Sequence, residues 1–175
     1  MRGYFGIGVE GISKPMNVGN LLRSAHAFGA SFFYTIDAEP DVREMQASDT
    51  SNAVTHLPYY SFDKVSDLIL PHQTALVAVE LLDNAVDLPS FRHPLRAVYV
   101  LGREMGNVSD EMLKRCDHVI KIPTKFCINV GVAGALVMYD RMISMGGFKD
   151  RPVAAGGPDD FAPKNLKDGH IVGKK

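Results

Sequence analysis

The sequence predicts an α/β fold with a mostly parallel sheet flanked by helices. Three observations lead there. The short, continuous apolar runs Ala75–Val79 and Ala97–Leu101 suit strands covered on both faces, as in a parallel sheet. Such runs alternate along the chain with stretches of helical period. The chain has 175 residues, 46% apolar and 22% charged, which is ordinary for one globular domain with a core of its own.

The elements follow in order. Tyr4–Val9 is apolar apart from its glycines and reads as a buried strand. Ile12–Gly19 reads as a loop punctuated by Pro15. Asn17 has the chemistry of an N-cap, and Leu21, Leu22, Ala25 and Phe28 recur at helical spacing until Gly29. Ser31–Ile36, rich in aromatic and β-branched residues, is a second strand. Residues 37–53 are polar, with room for a short helix. Thr55–Tyr60 reads as a strand, and Asp63–Leu70 as a helix ended by Pro71. After the two apolar runs, Ser109 caps a helix through Arg115, with Asp110 and Glu111 in its first turn. Val119–Ile122 is the last strand. Val130–Ile143 is the last helix, stopped by Gly146 and Gly147.

Residues 1–148 are expected to form the domain and 149–175 a flexible tail, rich in Gly and Pro and without a hydrophobic period. In that tail Lys149, Arg151, Lys164, Lys167, Lys174 and Lys175 outnumber Asp150, Asp159, Asp160 and Asp168, a weak signal for an acidic partner. The whole chain has 19 Lys and Arg against 20 Asp and Glu, so an RNA role would rest on local patches or a shared dimer surface. Cys116 and Cys127 are too few for a disulfide framework or a Cys-rich zinc site. No apolar run approaches the roughly 20 residues of a membrane helix, and the N-terminus lacks a secretory pattern. A cytoplasmic protein without membrane or metal partners is expected.

Gly6, Gly8 and Gly11 match the dinucleotide pattern G-x-G-x-x-G, but that motif follows a strand and only five residues precede it. These glycines read instead as part of the first strand. Three other segments are more informative. Pro15–Arg23 lies at the carboxyl end of the first strand, where ligands collect in open α/β sheets. Taken alone, Asn17 reads as a helix cap and Arg23 as a solvated charge. Leu101–Asn107 follows an apolar strand, and Gly102 lets the backbone approach a ligand closely. Ile120–Ala133 joins the last strand to the last helix, with Asn129 at its N-terminus. There Gly131, Ala133, Gly134 and Ala135 suit close packing by another backbone.

Together these segments resemble, in order, the three motifs of the SPOUT superfamily of RNA methyltransferases, specifically the SpoU/TrmH-type ribose 2′-O-methyltransferases. The first motif is met by Pro15, Asn17, Gly19 and Arg23, and the second by Gly102 and Glu104. The third is met by Ile122, Pro123, Asn129, Val130 and Ala133. The resemblance covers roughly residues 4–145. Two positions depart from the pattern: Asn107 stands where a glycine is usual and Cys127 where a serine is usual.

The resemblance implies a SPOUT-type fold with a C-terminal trefoil knot, a homodimer, and S-adenosyl-L-methionine bound in the knot region. The matching cofactor positions are Val79, Glu80, Leu81, Gly102, Ile122, Cys127, Ile128 and Val130. Arg23, Asn17, Glu104 and Asn129 match the catalytic positions. Arg23 would ease loss of the 2′-hydroxyl proton, orient the ribose or bind its phosphate, held by Asn17 and Glu104, while Asn129 orders the cofactor loop. The implied substrate is tRNA, with rRNA second. Three other readings fit the same residues: a catalytically silent relative that binds RNA or cofactor, a base-nitrogen RNA methyltransferase, and a small-molecule enzyme with a nucleotide cofactor.

Overall fold

Strands that are apolar on every side chain need cover on both faces, and the sheet supplies it. The computed structural model describes residues 3–39, 56–103, 106–153, 155 and 157. Among these, seven strands form one parallel sheet: β1 (Tyr4–Glu10), β2 (Phe32–Ile36), β3 (Tyr59–Phe62), β4 (Ala75–Val79), β5 (Val86–Asp87), β6 (Arg96–Leu101) and β7 (His118–Lys121). Their order is β3-β2-β1-β6-β4-β7-β5, so β6 enters between β1 and β4. Three helices are described: α1 (Pro15–Ala27), α2 (Asp110–Arg115) and α3 (Val130–Met145).

Alternation along β6 divides the core. Ala97, Tyr99 and Leu101 join a cluster with Leu21, Leu22, Val137 and Met138, under α1 and α3. Val98 and Val100 face the other way, toward Leu76, Tyr34 and Met112 of α2.

The glycines of β1 are explained by this second face. A Cβ on Gly6 would lie 2.2 Å from the Phe32 ring, and one on Gly8 2.3 Å from the backbone oxygen of Tyr34. The G-x-G pattern therefore lets the rings of β2 lie across β1.

The small residues of α3 serve the chain itself. A Cβ on Gly134 would meet Leu21 Cδ1 at 2.2 Å, and one on Gly131 would meet Asn20 Cβ at 3.3 Å. The close backbone neighbour of α3 is α1 of the same chain. The far half of α3 is anchored by a buried network. Arg141 donates to Pro94 O at 2.7 Å, to Leu95 O at 3.0 Å and to Tyr99 Oη at 3.2 Å. His93 bridges Tyr99 Oη at 2.6 Å and Asp140 Oδ2 at 2.9 Å.

Several elements differ from expectation. Helix α1 starts at Pro15, inside the predicted loop, because proline's fixed φ suits the first helical position. The predicted helix Asp63–Leu70 is only a 3-10 turn at Val65–Asp67. The Arg115 guanidinium takes the carbonyls of Val65 and Leu68, which a longer helix would use internally. The strand expected at Thr55–Tyr60 runs instead from Tyr59 to Phe62, and β5 was not foreseen. The short helix considered within 37–53 lies mostly outside the described residues. Lys149–Val153 is exposed and outside any helix or strand, and most of the tail beyond lies outside the described residues.

Candidate active site

The carboxyl ends of β6, β4 and β7 lie side by side, and the loops that leave them wall a cleft. Its volume is about 470 Å3, within the range of small-molecule sites. Val79, Glu80 and Leu81 enter from β4, and Leu101, Gly102, Arg103, Gly106 and Asn107 from β6. Ile122 and Thr124 follow β7, and Cys127 to Val130 lead into α3. Lys14 and Asn17 come from the start of α1. Every position matched above to the cofactor (Val79, Glu80, Leu81, Gly102, Ile122, Cys127, Ile128 and Val130) lines this one cleft, together with Asn17 and Asn129.

Local chemistry explains the walls. Glu80 N donates to Ile120 O at 2.9 Å, extending the β4–β7 pairing past the strand end. A Cβ on Gly102 would lie 2.7 Å from Val108 N and 3.2 Å from Glu80 Oε2, so only glycine leaves room there. Thr124 donates its hydroxyl to Phe126 O at 2.9 Å, which folds the segment between β7 and α3 back on itself.

Asn129 caps α3. Its Oδ1 accepts from Gly131 N at 2.9 Å and from Val132 N at 3.4 Å. That turns its Nδ2 toward Asn17 Oδ1, 2.9 Å away. Asn17 itself is no cap. It lies inside the first turn of α1, behind Lys14 as N-cap, and it is buried. Two asparagines that each read locally as caps thus become a bridge between the first and third motifs.

Arg23 is not in the cleft. It is exposed and lines the adjoining groove between α1 and α3, with Asn20, Leu136 and Tyr139. Asn129 lines both spaces and separates them. Glu104 lies outside the described residues. Asn107 needs no left-handed backbone: among the described residues only Asp37 and Gln73 are non-glycine residues with positive φ. Cys116 and Cys127 are free thiols, and burial pushes that of Cys116 up to about 11. Lys14, Arg103 and Thr124 also line the cleft, although no motif position marks them in the sequence. Each stands beside a motif residue (Pro15, Gly102 and Pro123), which was the available signal.

Apolar walls from Val79, Leu81, Ile122, Ile128 and Val130 can enclose a flat heterocycle, while Lys14 and Arg103 bring positive charge to the cleft. Among the described residues no group of three His, Cys, Asp or Glu could hold a metal ion, and no helix is long and apolar enough to cross a membrane.

Known proteins resemble this chain in sequence and in fold. The tRNA (guanosine(18)-2′-O)-methyltransferase of Escherichia coli is 28% identical over 138 residues, which is 75% of this chain and 60% of that protein. The chain thus spans little more than half the length of the curated relatives it matches. The SpoU methyltransferase AviRb from Streptomyces viridochromogenes, solved with AdoMet, superposes with a TM-score of 0.75 at 18% identity, over 83% of this chain and 59% of that one. A structure described in connection with 2-OH methylation of C/U34 on tRNA gives 0.69 at 19% identity, over 85% of this chain and 100% of that one. The model of the SpoU rRNA Methylase family matches residues 5–139, from β1 into α3 and through all three cleft-forming loops, and the chain belongs to that family.

Proposed function

We propose that this protein transfers the methyl group of S-adenosyl-L-methionine to a ribose 2′-hydroxyl of RNA, with tRNA the first substrate and rRNA the second. One observation carries the reading: residues from three separate motifs, 112 positions apart in the case of Asn17 and Asn129, meet on a single cleft. The cleft's volume and apolar walls fit an adenosyl group. The similarity to the tRNA (guanosine(18)-2′-O)-methyltransferase of Escherichia coli supports the choice of ribose and of tRNA.

When bound, the cofactor supplies an activated methyl on a sulfonium sulfur. The chain's task is to place a hydroxyl oxygen in line with that methyl and help its proton leave. Val79, Leu81, Ile122 and Ile128 would enclose the adenosyl group, and the backbone at Gly102 and Val130 would approach it. Asn129 and Asn17 fix the boundary between the cofactor cleft and the groove of Arg23. From that groove Arg23 orients the ribose or its phosphate, for which its planar fork is suited. Glu104 completes the set by its place in the second motif, two residues after Gly102 in the sequence.

The same groove supports a homodimer. Val132, Leu136 and Tyr139 recur along α3 and remain 52%, 40% and 46% exposed. A second copy would cover them and bring its own surface to Arg23. The experiment is methyl transfer from labelled S-adenosyl-L-methionine to bulk tRNA and rRNA, followed by mass spectrometry of the nucleosides. A 2′-O-methylnucleoside supports the reading. A base-methylated product, or binding without transfer, would replace it with a base-nitrogen enzyme or a silent relative.

A further inference from the structure

The loop after β6 is held from both sides. Its last two amides before α2 bond to carboxylates on the two strands that flank β6 in the sheet. Val108 N donates to Glu80 Oε2 at 2.8 Å, and Ser109 N donates to Glu10 Oε2 at 2.9 Å. Glu10 ends β1 and Glu80 follows β4. The other oxygen of Glu80 accepts from Leu81 N at 2.9 Å, so this carboxylate joins two loops of the cleft through their backbones. Glu10 is 4% exposed. A buried carboxylate is unfavourable unless it is well bonded, and amide bonds to a charged oxygen are stronger than bonds to a neutral one. Neither acid belongs to the three motifs.

We infer that Glu10 and Glu80 are positioning residues for the cofactor cleft. Together they fix the wall formed by Gly102, Gly106 and Asn107 against the wall formed by Val79 and Leu81. The distance between those walls is the space open to the adenosyl group. The inference rests on the methyl-donor reading above. It gives the Glu80 side chain a role distinct from contact with the cofactor. Glutamine keeps the shape in either place; at position 80 it leaves one oxygen for two amides, and at position 10 it replaces a charged acceptor for Ser109 N by a weaker neutral one.

The test uses the full chain and the variants Glu80→Gln and Glu10→Gln. Hydrogen exchange is followed without cofactor, in the peptide containing Val108 and Ser109. Calorimetric titration with S-adenosyl-L-methionine and steady-state methyl transfer follow. Each variant should exchange faster in that peptide, with the peptides of β1 and β6 unchanged. The dissociation constant for S-adenosyl-L-methionine should rise about tenfold for Glu80→Gln, the scale of a lost bond to a charged group. KM for the cofactor should rise more than kcat falls. Unchanged exchange and unchanged affinity in Glu80→Gln would overturn the inference, and because Glu80 is only partly buried this variant stands even if Glu10→Gln fails to fold. If the wild-type chain takes up no S-adenosyl-L-methionine, the functional reading falls, while the exchange rates still decide whether the two carboxylates hold the loop.

Discussion

Asn129 spans two helices with one side chain. Its oxygen holds the first free amides of α3, and its nitrogen donates to Asn17 in the first turn of α1, 2.9 Å away. The two ends can be separated by mutation. Serine is as good an N-cap as asparagine but too short to reach Asn17. Asn129→Ser should therefore melt close to wild type while methyl transfer drops. Asn129→Ala loses the cap as well, at a cost of about 1 kcal/mol. For a chain of this size that lowers Tm by about 2–4 °C. Melting curves beside transfer assays check both, and a fully active Asn129→Ser would show that the bridge is dispensable.

Arg23→Ala should abolish methyl transfer yet leave affinity for S-adenosyl-L-methionine within about twofold of wild type, a fraction of a kcal/mol. The reason is spatial: Arg23 lines the groove beyond Asn129, outside the cleft. Arg23→Lys should fail too, since a point charge does not replace a planar fork. Calorimetry and radiolabel transfer on the same preparations decide the matter, and near-normal transfer by Arg23→Ala would remove it from the mechanism.

Gly8→Ala should destabilise the fold by about 1–3 kcal/mol, the usual range for overpacking. The new methyl meets the backbone oxygen of Tyr34, which cannot step aside as a flexible side-chain end could. Urea unfolding measures it. Wild-type stability in Gly8→Ala would mean that β1 and β2 can move apart freely.

The His93 network predicts a pH dependence. The Asp140 carboxylate can only accept, so His93 Nε2 carries the proton, and in the neutral ring Nδ1 accepts from Tyr99 Oη, which in turn accepts from Arg141. Burial above all lowers the pKa of His93 from its ordinary 6.5, against the pull of Asp140. The unfolded chain then binds a proton at a pH where the folded chain does not. Stability from this group is complete above about pH 6.5 and declines as pH falls toward the lower folded value. Tm should fall across that window in wild type, and less steeply in His93→Gln. Equal slopes in differential scanning calorimetry would disprove the assignment.

What the sequence revealed depended on how local the cause was. Ala97–Leu101 was legible because a strand covered on both faces needs apolar side chains at every position. Ser109 was legible because the amide it caps, Met112 N, is three residues away. The turn at Val65–Asp67 was not, because the guanidinium that claims its carbonyls is some 50 residues downstream. Asn17 read as a cap for the same reason: its bonding partner Asn129 is distant in sequence. Lys14, Arg103 and Thr124 are cleft residues only because three strand ends converge, and no periodicity encodes that convergence.

The sheet order also constrains how the molecule is made. Tyr4 pairs with Arg96 and Val9 with Leu101, so one whole edge of β1 waits for a strand synthesised much later. During vectorial synthesis β1, α1 and β2 emerge with an unsatisfied edge that only the second half of the chain can close. Contacts of such high order are slow to form, because loop-closure entropy must be met before the pairing rewards it. The cleft, built from the ends of β4, β6 and β7, is then the last feature to exist. Until β7 and the loop beyond it have emerged, a nascent chain owns the first motif without possessing any site at all.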